Sequence, residues 1–221
     1  MGFATSALLI IDVQNDFCPN GALAVSRGDE VIGPLNDLAL IFSRKGARVI
    51  ATQDWHPGDH VSFASSHPGK KSGDMVKVKG SKAAIEDQVL WPDHCVQNTQ
   101  GAEFYKNLDT GLLHMIIRKG YRKQLDSYSA FFENDRITPT GLDGFLKGLS
   151  MDTVFLGGLA TDYCVFYSAM DAIALGYRTY VIKDAVRGVG YPEGSVERAL
   201  ETMENAGVIL ADSALVKGIP E

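Results

Sequence analysis

The chain has 221 residues, 45% of them hydrophobic and 22% charged, and 21 Lys plus Arg against 27 Asp plus Glu leave a formal net charge of −6. That much apolar material offsets the entropy of ordering, so a disordered chain is excluded, and the acidic balance excludes the basic surface that a nucleic-acid binder needs. Apolar runs such as Ala7 to Ile11 are too short to span a membrane, so neither nucleic acid nor membrane is an expected partner.

Ala7 to Val13, apolar apart from Asp12 and bounded by polar residues, predicts a strand covered on both faces. From Asp29 to Arg44 the residues Val31, Leu35, Leu38, Ile41 and Phe42 recur at helical spacing, and Lys45-Gly46 supplies a basic last turn and a glycine stop. Arg48 to Thr52 predicts a second strand. The segment from Trp55 to Tyr105 is too long for an ordinary connection, which marks it as functional or disordered. Within it, the Gly-, Ser- and Lys-rich stretch Lys70 to Lys82 is the expected mobile part. His114 to Ile117, Thr153 to Leu156, Arg178 to Ile182 and Gly207 to Leu210 predict four further strands. Helices are expected over roughly Thr140 to Leu149, Asp162 to Leu175 and Pro192 to Asn205. Strand then helix, repeated, implies parallel βαβ units. The expected fold is α/β, doubly wound, with a mainly parallel six-stranded sheet carrying helices on both faces. One domain spans residues 1–221, with a long loop region at about 54–105.

Three cysteines, Cys18, Cys95 and Cys164, are too few and too scattered for a disulfide framework. An odd count with no recognisable secretion signal points to a reducing, cytoplasmic compartment. Met1 to Ser6 fits the loose myristoylation pattern, but no polybasic patch supplies the second anchor signal.

The polar residues that matter gather at predicted strand ends. Asp12 follows the first strand, Asp54 and His56 the second and Lys119 the third, while Cys164 lies just beyond the fourth. In open parallel sheets, ligands bind outside the carboxyl ends of the strands. A lone cysteine before an apolar helix is most often small core packing. With Thr161 as N-cap, however, Cys164 sits in the first helical turn, where unpaired N–H groups and the helix dipole favour a thiolate and can receive an oxyanion. Asp12 beside that thiol can take its proton and return it to a departing amine, and the Lys119 ammonium favours both anions.

A second cluster holds four of the five histidines: His56, His60, His67 and His94. Asp54 and His56, two apart in an extended segment, face the same way and can meet one cation, and a third ligand from a distant loop leaves open positions for water or substrate. Loop histidines are as often solvated, and His67 is expected to be. Cys95 adjoins His94, and in an extended stretch its side chain points the opposite way, so it is left out of the metal shell.

At these residues the chain resembles the nicotinamidase/pyrazinamidase group of the isochorismatase-like cysteine hydrolases. The likeness runs along essentially the whole sequence. It is carried by Ile11-Asp-Val-Gln-Asn-Asp-Phe17, Asp54-Trp-His-Pro57, Trp91-Pro-Asp-His-Cys-Val-Gln97, Lys119-Gly120, Asp126-Ser-Tyr-Ser-Ala-Phe131 and Gly158-Leu-Ala-Thr-Asp-Tyr-Cys-Val165. The resemblance implies a Cys164–Asp12–Lys119 triad and one divalent ion on Asp54, His56 and His94. It also implies a cis peptide between Leu159 and Ala160, with the oxyanion held by the backbone N–H groups of Ala160 and Cys164. Aromatic pocket walls come from Phe17, Trp91, Tyr128 and Tyr163, for which plain core packing is the alternative. A further metal ligand at His60, Ser62 or water stays open. Zinc is the expected ion, although two imidazoles and a carboxylate suit iron and manganese as well. The implied activity is hydrolysis of nicotinamide to nicotinate and ammonia, with pyrazinamide as an analogue substrate, in NAD salvage. The alternatives are another amide or carbamoyl hydrolase of the superfamily, or a metal-binding module without catalysis. A homo-oligomer is compatible with the sequence.

Overall fold

A computed structural model describes residues 2–77 and 87–218 of the chain. Among these residues the strands are β1 (Ser6–Ile11), β2 (Arg48–Asp54), β3 (Met75–Lys77), β4 (Asp87–Val89), β5 (Met115–Lys119), β6 (Thr153–Leu159), β7 (Arg178–Arg187) and β8 (Ile209–Ala211). The α-helices are α1 (Ile32–Arg44), α2 (Leu142–Gly148), α3 (Phe166–Ala174), α4 (Ser195–Asn205) and α5 (Ser213–Lys217). Six strands form one sheet in the order β5-β2-β1-β6-β7-β8. Every pairing in it is parallel.

The two faces of β1 explain why its run is apolar without alternation. Leu8 and Ile10 pack on one side with Leu35, Leu38 and Phe42 of α1. Ala7, Leu9 and Ile11 pack on the other with Leu142, Leu146, Val165, Ala169 and Met203 of the α2, α3 and α4 side. A strand covered on both faces has no polar side to show. Strand order reverses between β1 and β6, which opens a crevice at their carboxyl ends.

The predicted strands and helices are all present, with shifted ends. β1 stops at Ile11 rather than Val13, because Asp12 takes φ 48° and turns out of the ladder. β6 and β7 run on to Leu159 and Arg187, past a register shift between Leu156 and Gly158 that lets Gly158 pair with Val186. The helix expected from Asp162 begins instead as a π-helical turn, Thr161–Val165, whose cap residue is Ala160. Thr161 is therefore inside the turn rather than its N-cap, and no side chain caps it. The Leu159–Ala160 peptide is cis, as the resemblance implied. The ribbon formed by β3 and β4 and the short α5 carry no signal in the periodicity, since three- and five-residue elements are too short to repeat. The expected mobility of Lys70 to Lys82 falls partly outside the described residues, and Met75–Lys77 within that stretch is paired with Asp87–Val89.

Gly158 shows how tightly the crevice is built. Its φ is 121°, and a Cβ there would lie 2.1 Å from the carbonyl oxygen of Ile11 and 2.7 Å from its nitrogen. Neither backbone atom can yield without breaking the β1–β6 ladder. Gly158→Ala is expected to destabilise the protein by upward of ~3 kcal/mol, or to prevent soluble folding, as read by urea unfolding.

Candidate active site

Four chain segments end at the crevice. Asp12 leaves β1, Asp54 closes β2, Lys119 closes β5, and the π turn after β6 carries Cys164. Asp54 and Lys119 are register partners across the β2–β5 ladder, so their side chains emerge side by side. Lys119 is fully buried. Its Nζ stands 2.8 Å from Asp12 Oδ2 and 2.5 Å from Asp54 Oδ1, donates to the Ser127 carbonyl at 2.9 Å, and lies 3.4 Å from Cys164 Sγ. Ligand atoms of Asp12, Asp54 and Cys164 all lie within 4.8 Å of one another.

Neighbouring side chains hold these groups in place. Thr52 donates from Oγ1 to Asp12 Oδ1 at 2.6 Å and accepts the Asp12 N–H at 3.1 Å, which fixes both ends of a residue in the left-handed region. The Gln14 amide does the same for Asp54, accepting its N–H and donating to its carbonyl, each at 2.8 Å.

Burial works against every charge in this group. It pushes the Cys164 thiol well up against the opposing pull of Lys119, with the two carboxylates adding to the rise. Asp12 is raised for the same reason, burial outweighing Lys119. Burial would also raise Asp54, but Lys119 and His56 hold it well below the ordinary carboxylate range. Lys119 is raised despite burial, because two carboxylates face its ammonium. Burial therefore opposes the thiolate that the helix start and Lys119 are expected to favour, and it raises the neighbouring Asp12 carboxylate as well.

Asp54 is shared between two clusters. Its Oδ2 is 3.6 Å from His56 Nε2, and ligand atoms of Asp54, His56 and His94 lie within 4.8 Å of one another. The outward-facing nitrogens of both rings are engaged: His56 Nδ1 with the Gly120 carbonyl at 2.8 Å and His94 Nδ1 with the Pro92 carbonyl at 2.7 Å. Donation from Nδ1 leaves each Nε2 with a free lone pair, the tautomer a cation needs. Gly120, φ 63°, is where a Cβ would come within 2.4 Å of the His56 ring, so the ring can lie on the backbone only because glycine is there. The carboxylates of Asp12 and Asp54 outnumber the one ammonium, and a divalent ion fits that donor set and that charge.

His60 stacks on His56 at 4.2 Å between centroids, with Nδ1 on Ser62 Oγ at 2.7 Å. Its ligand atoms group with His56 and Asp126 and not with the Asp54–His94 set. His67 is not solvated: it is half-buried, its Nε2 on the Val61 carbonyl at 2.8 Å. Cys95 stands outside all three clusters, but for a different reason than the extended geometry expected, since its φ is 46° and its N–H is tied to Asp16 Oδ2 at 2.7 Å.

Phe17, Trp91, Tyr128 and Tyr163 do line one cleft, of about 430 Å³ counting its open mouth, whose floor includes Asp54, His56, His94, Ala160 and Cys164. Trp91 and Tyr128 meet Tyr163 edge-on at 5.0 and 5.5 Å, and Phe17 lies 5.5 Å from His94. Asp12 and Lys119 are fully buried and do not line the cleft. Sequence reasoning gave no role to Asp126, Leu23 or Val189, which also line it. Of the three, Asp126 alone carries a signal in the sequence, since it opens the Asp126-Ser-Tyr-Ser-Ala-Phe131 motif.

Residues 6–214 match the family model described as the isochorismatase domain. A nicotinamidase of Acinetobacter baylyi is 46% identical over 202 residues, 91% of this chain and 90% of that protein. The solved nicotinamidase/pyrazinamidase of Acinetobacter baumanii superposes with a TM-score of 0.90 at 45% identity, covering 96% of this chain and 98% of its own. The pyrazinamidase of Pyrococcus horikoshii, solved in complex with zinc, gives a TM-score of 0.75 at 37% identity over 94% of this chain and 99% of its own. No helix among the described residues is long and apolar enough to cross a membrane.

His94 gives the cluster a measurable pH signature. Burial first, and the neighbouring His56 second, push it down to about 4. An unfolded imidazole titrates near 6.5, so the unfolded chain binds the extra proton between these values. The contribution of neutral His94 is full above about pH 6.5 and lost as pH falls toward 4, on the order of 3 kcal/mol. Chelator-treated protein is expected to lose stability over this interval in urea unfolding, and His94→Asn to lose less.

Proposed function

The chain belongs to the isochorismatase-domain family, and on that premise we propose that it is a nicotinamidase, an amidohydrolase that converts nicotinamide to nicotinate and ammonia. The observation that carries this reading is one ammonium, Lys119, within reach of Asp12, Asp54 and Cys164, behind an aromatic cleft with a three-ligand cluster in its floor. The flat walls of Phe17, Trp91, Tyr128 and Tyr163 suit a flat ring, whose faces they cover while its carboxamide faces Cys164. Pyrazinamide has the same flat shape and carboxamide and is the expected second substrate.

Asp54, His56 and His94 would hold a divalent ion, with zinc the first choice and iron or manganese compatible. Bound there, such an ion supplies a Lewis acid for a ring nitrogen, which orients the substrate and draws electron density from the carboxamide. The remaining chemistry belongs to side chains and backbone. Asp12, made basic by burial, takes the Cys164 proton as the sulfur attacks the carboxamide carbon. The backbone N–H groups of Ala160 and Cys164 receive the oxyanion. Asp12 returns the proton to the nitrogen, the C–N bond breaks, and ammonia leaves a thioester on Cys164. Water, deprotonated by Asp12, then attacks the thioester, which releases nicotinate and restores the thiol. Lys119 keeps its proton throughout and offsets whichever anion the cycle produces. A cytoplasmic role in NAD salvage is the physiological setting this activity implies.

Purified protein is expected to release ammonia from nicotinamide. Cys164→Ala should lower kcat by at least ~10³-fold while leaving the fold intact by circular dichroism. Hydroxylamine should trap nicotinoyl hydroxamate from the wild type alone, and normal turnover by Cys164→Ala would end the mechanism. Removing metal with a chelator should lower both activity and Tm, and zinc restored at about 100 times its Kd should return roughly 2.7 kcal/mol of stability.

A further inference from the structure

We propose that Asp162 is a positioning residue that sets the width of the ring pocket, by tying the turn that carries Cys164 to the segment that carries Val189. The substrate in this inference rests on the nicotinamidase reading; the residue rests on geometry alone. Asp162 is buried two positions before Cys164 and does not itself line the cleft. Its Oδ1 accepts the N–H of Val189 at 2.9 Å. Its Oδ2 accepts the N–H of Gly190 at 2.9 Å and the hydroxyl of Ser195 at 2.6 Å. The exit from β7 is pressed against this carboxylate, since a Cβ on Gly188 would sit 3.1 Å from Oδ1 and 2.3 Å from Val196 Cγ2. Tyr163 adds a second tie on the cleft side, its hydroxyl donating to the Tyr191 carbonyl at 2.8 Å.

Residues 188–194 form neither helix nor strand, so side-chain hydrogen bonds do the work that a ladder does elsewhere. A carboxylate, accepting at both oxygens, can take three donors from one segment together. An amide of the same shape cannot, because its NH₂ would face one of the two N–H groups. The bond to Val189 is made at its backbone nitrogen, so the carboxylate fixes where that side chain stands relative to Cys164. Displacing an apolar wall by the size of a methyl group changes which rings fit, by roughly 10–200-fold in discrimination.

A residue that merely started α4 would behave differently: its loss would lower stability and leave substrate preference alone. The experiment is Asp162→Asn, with ammonia release measured on nicotinamide and on a panel of ring-methylated nicotinamides. The expected result is KM for nicotinamide raised about tenfold, kcat within about threefold, and the preference for nicotinamide over the methylated rings reduced about tenfold. Val189→Ala should relax the same preference, and the double variant should fall little further, because both act on one wall. An unchanged preference alongside a lower kcat or yield would overturn the proposal. Should Asp162→Asn not fold, Ser195→Ala keeps both N–H bonds and should reduce the preference roughly twofold, with no reduction overturning the proposal. If the wild type releases no ammonia from nicotinamide, the functional reading fails instead. The tie is then tested by amide hydrogen exchange at Val189 and Gly190, expected at least ~10-fold faster in Asp162→Asn, and unchanged exchange refutes it.

Discussion

The site depends on one buried ammonium. Lys119 is wholly shut off from bulk solvent, and its charge is tolerable because two carboxylates, a backbone carbonyl and a sulfur converge on it. The converse also holds: Asp12 and Asp54, both buried, would repel each other without it. A group of this kind is weak as a source of stability, since desolvation consumes most of the Coulomb attraction. Its value lies in geometry, because four chain segments must arrive together or leave a charge unpaired.

The consequence for reactivity is a division of labour within one carboxylate. Asp54 turns one oxygen toward Lys119 and the other toward the histidine cluster, so one carboxylate joins the two groups of side chains. Burial raises Asp12 while Lys119 and His56 hold Asp54 low, so the two carboxylates differ although they share one ammonium. Burial also raises the Cys164 thiol against the pull of Lys119, so the proton acceptor proposed for it is the carboxylate beside it.

Backbone shape sets the distances. Gly158 lets β6 approach β1, Gly120 lets the His56 ring rest on the chain, and Thr52 and Gln14 stand in for ladder hydrogen bonds where β1 and β2 have ended. The aromatic walls are a separate layer, in which Trp91 and Tyr128 meet Tyr163 of the π turn edge-on.

The periodicity of the sequence determined the strands, the longer helices and the α/β class, because burial on both faces writes itself as continuous apolar runs and burial on one side as a 3.6-residue repeat. Motif likeness added the site residues, and the structure brings Asp12, Lys119 and Cys164 into one cluster and Asp54, His56 and His94 into another. Other features were decided only by tertiary contact. The backbone of Asp12 and Cys95, both at positive φ, is tied to Thr52 and Asp16, and Asp126 is tied to Gln88, all of them groups distant in the chain. Local sequence records which residues want burial; which buried polar atoms find one another depends on where segments a hundred residues apart are folded to meet.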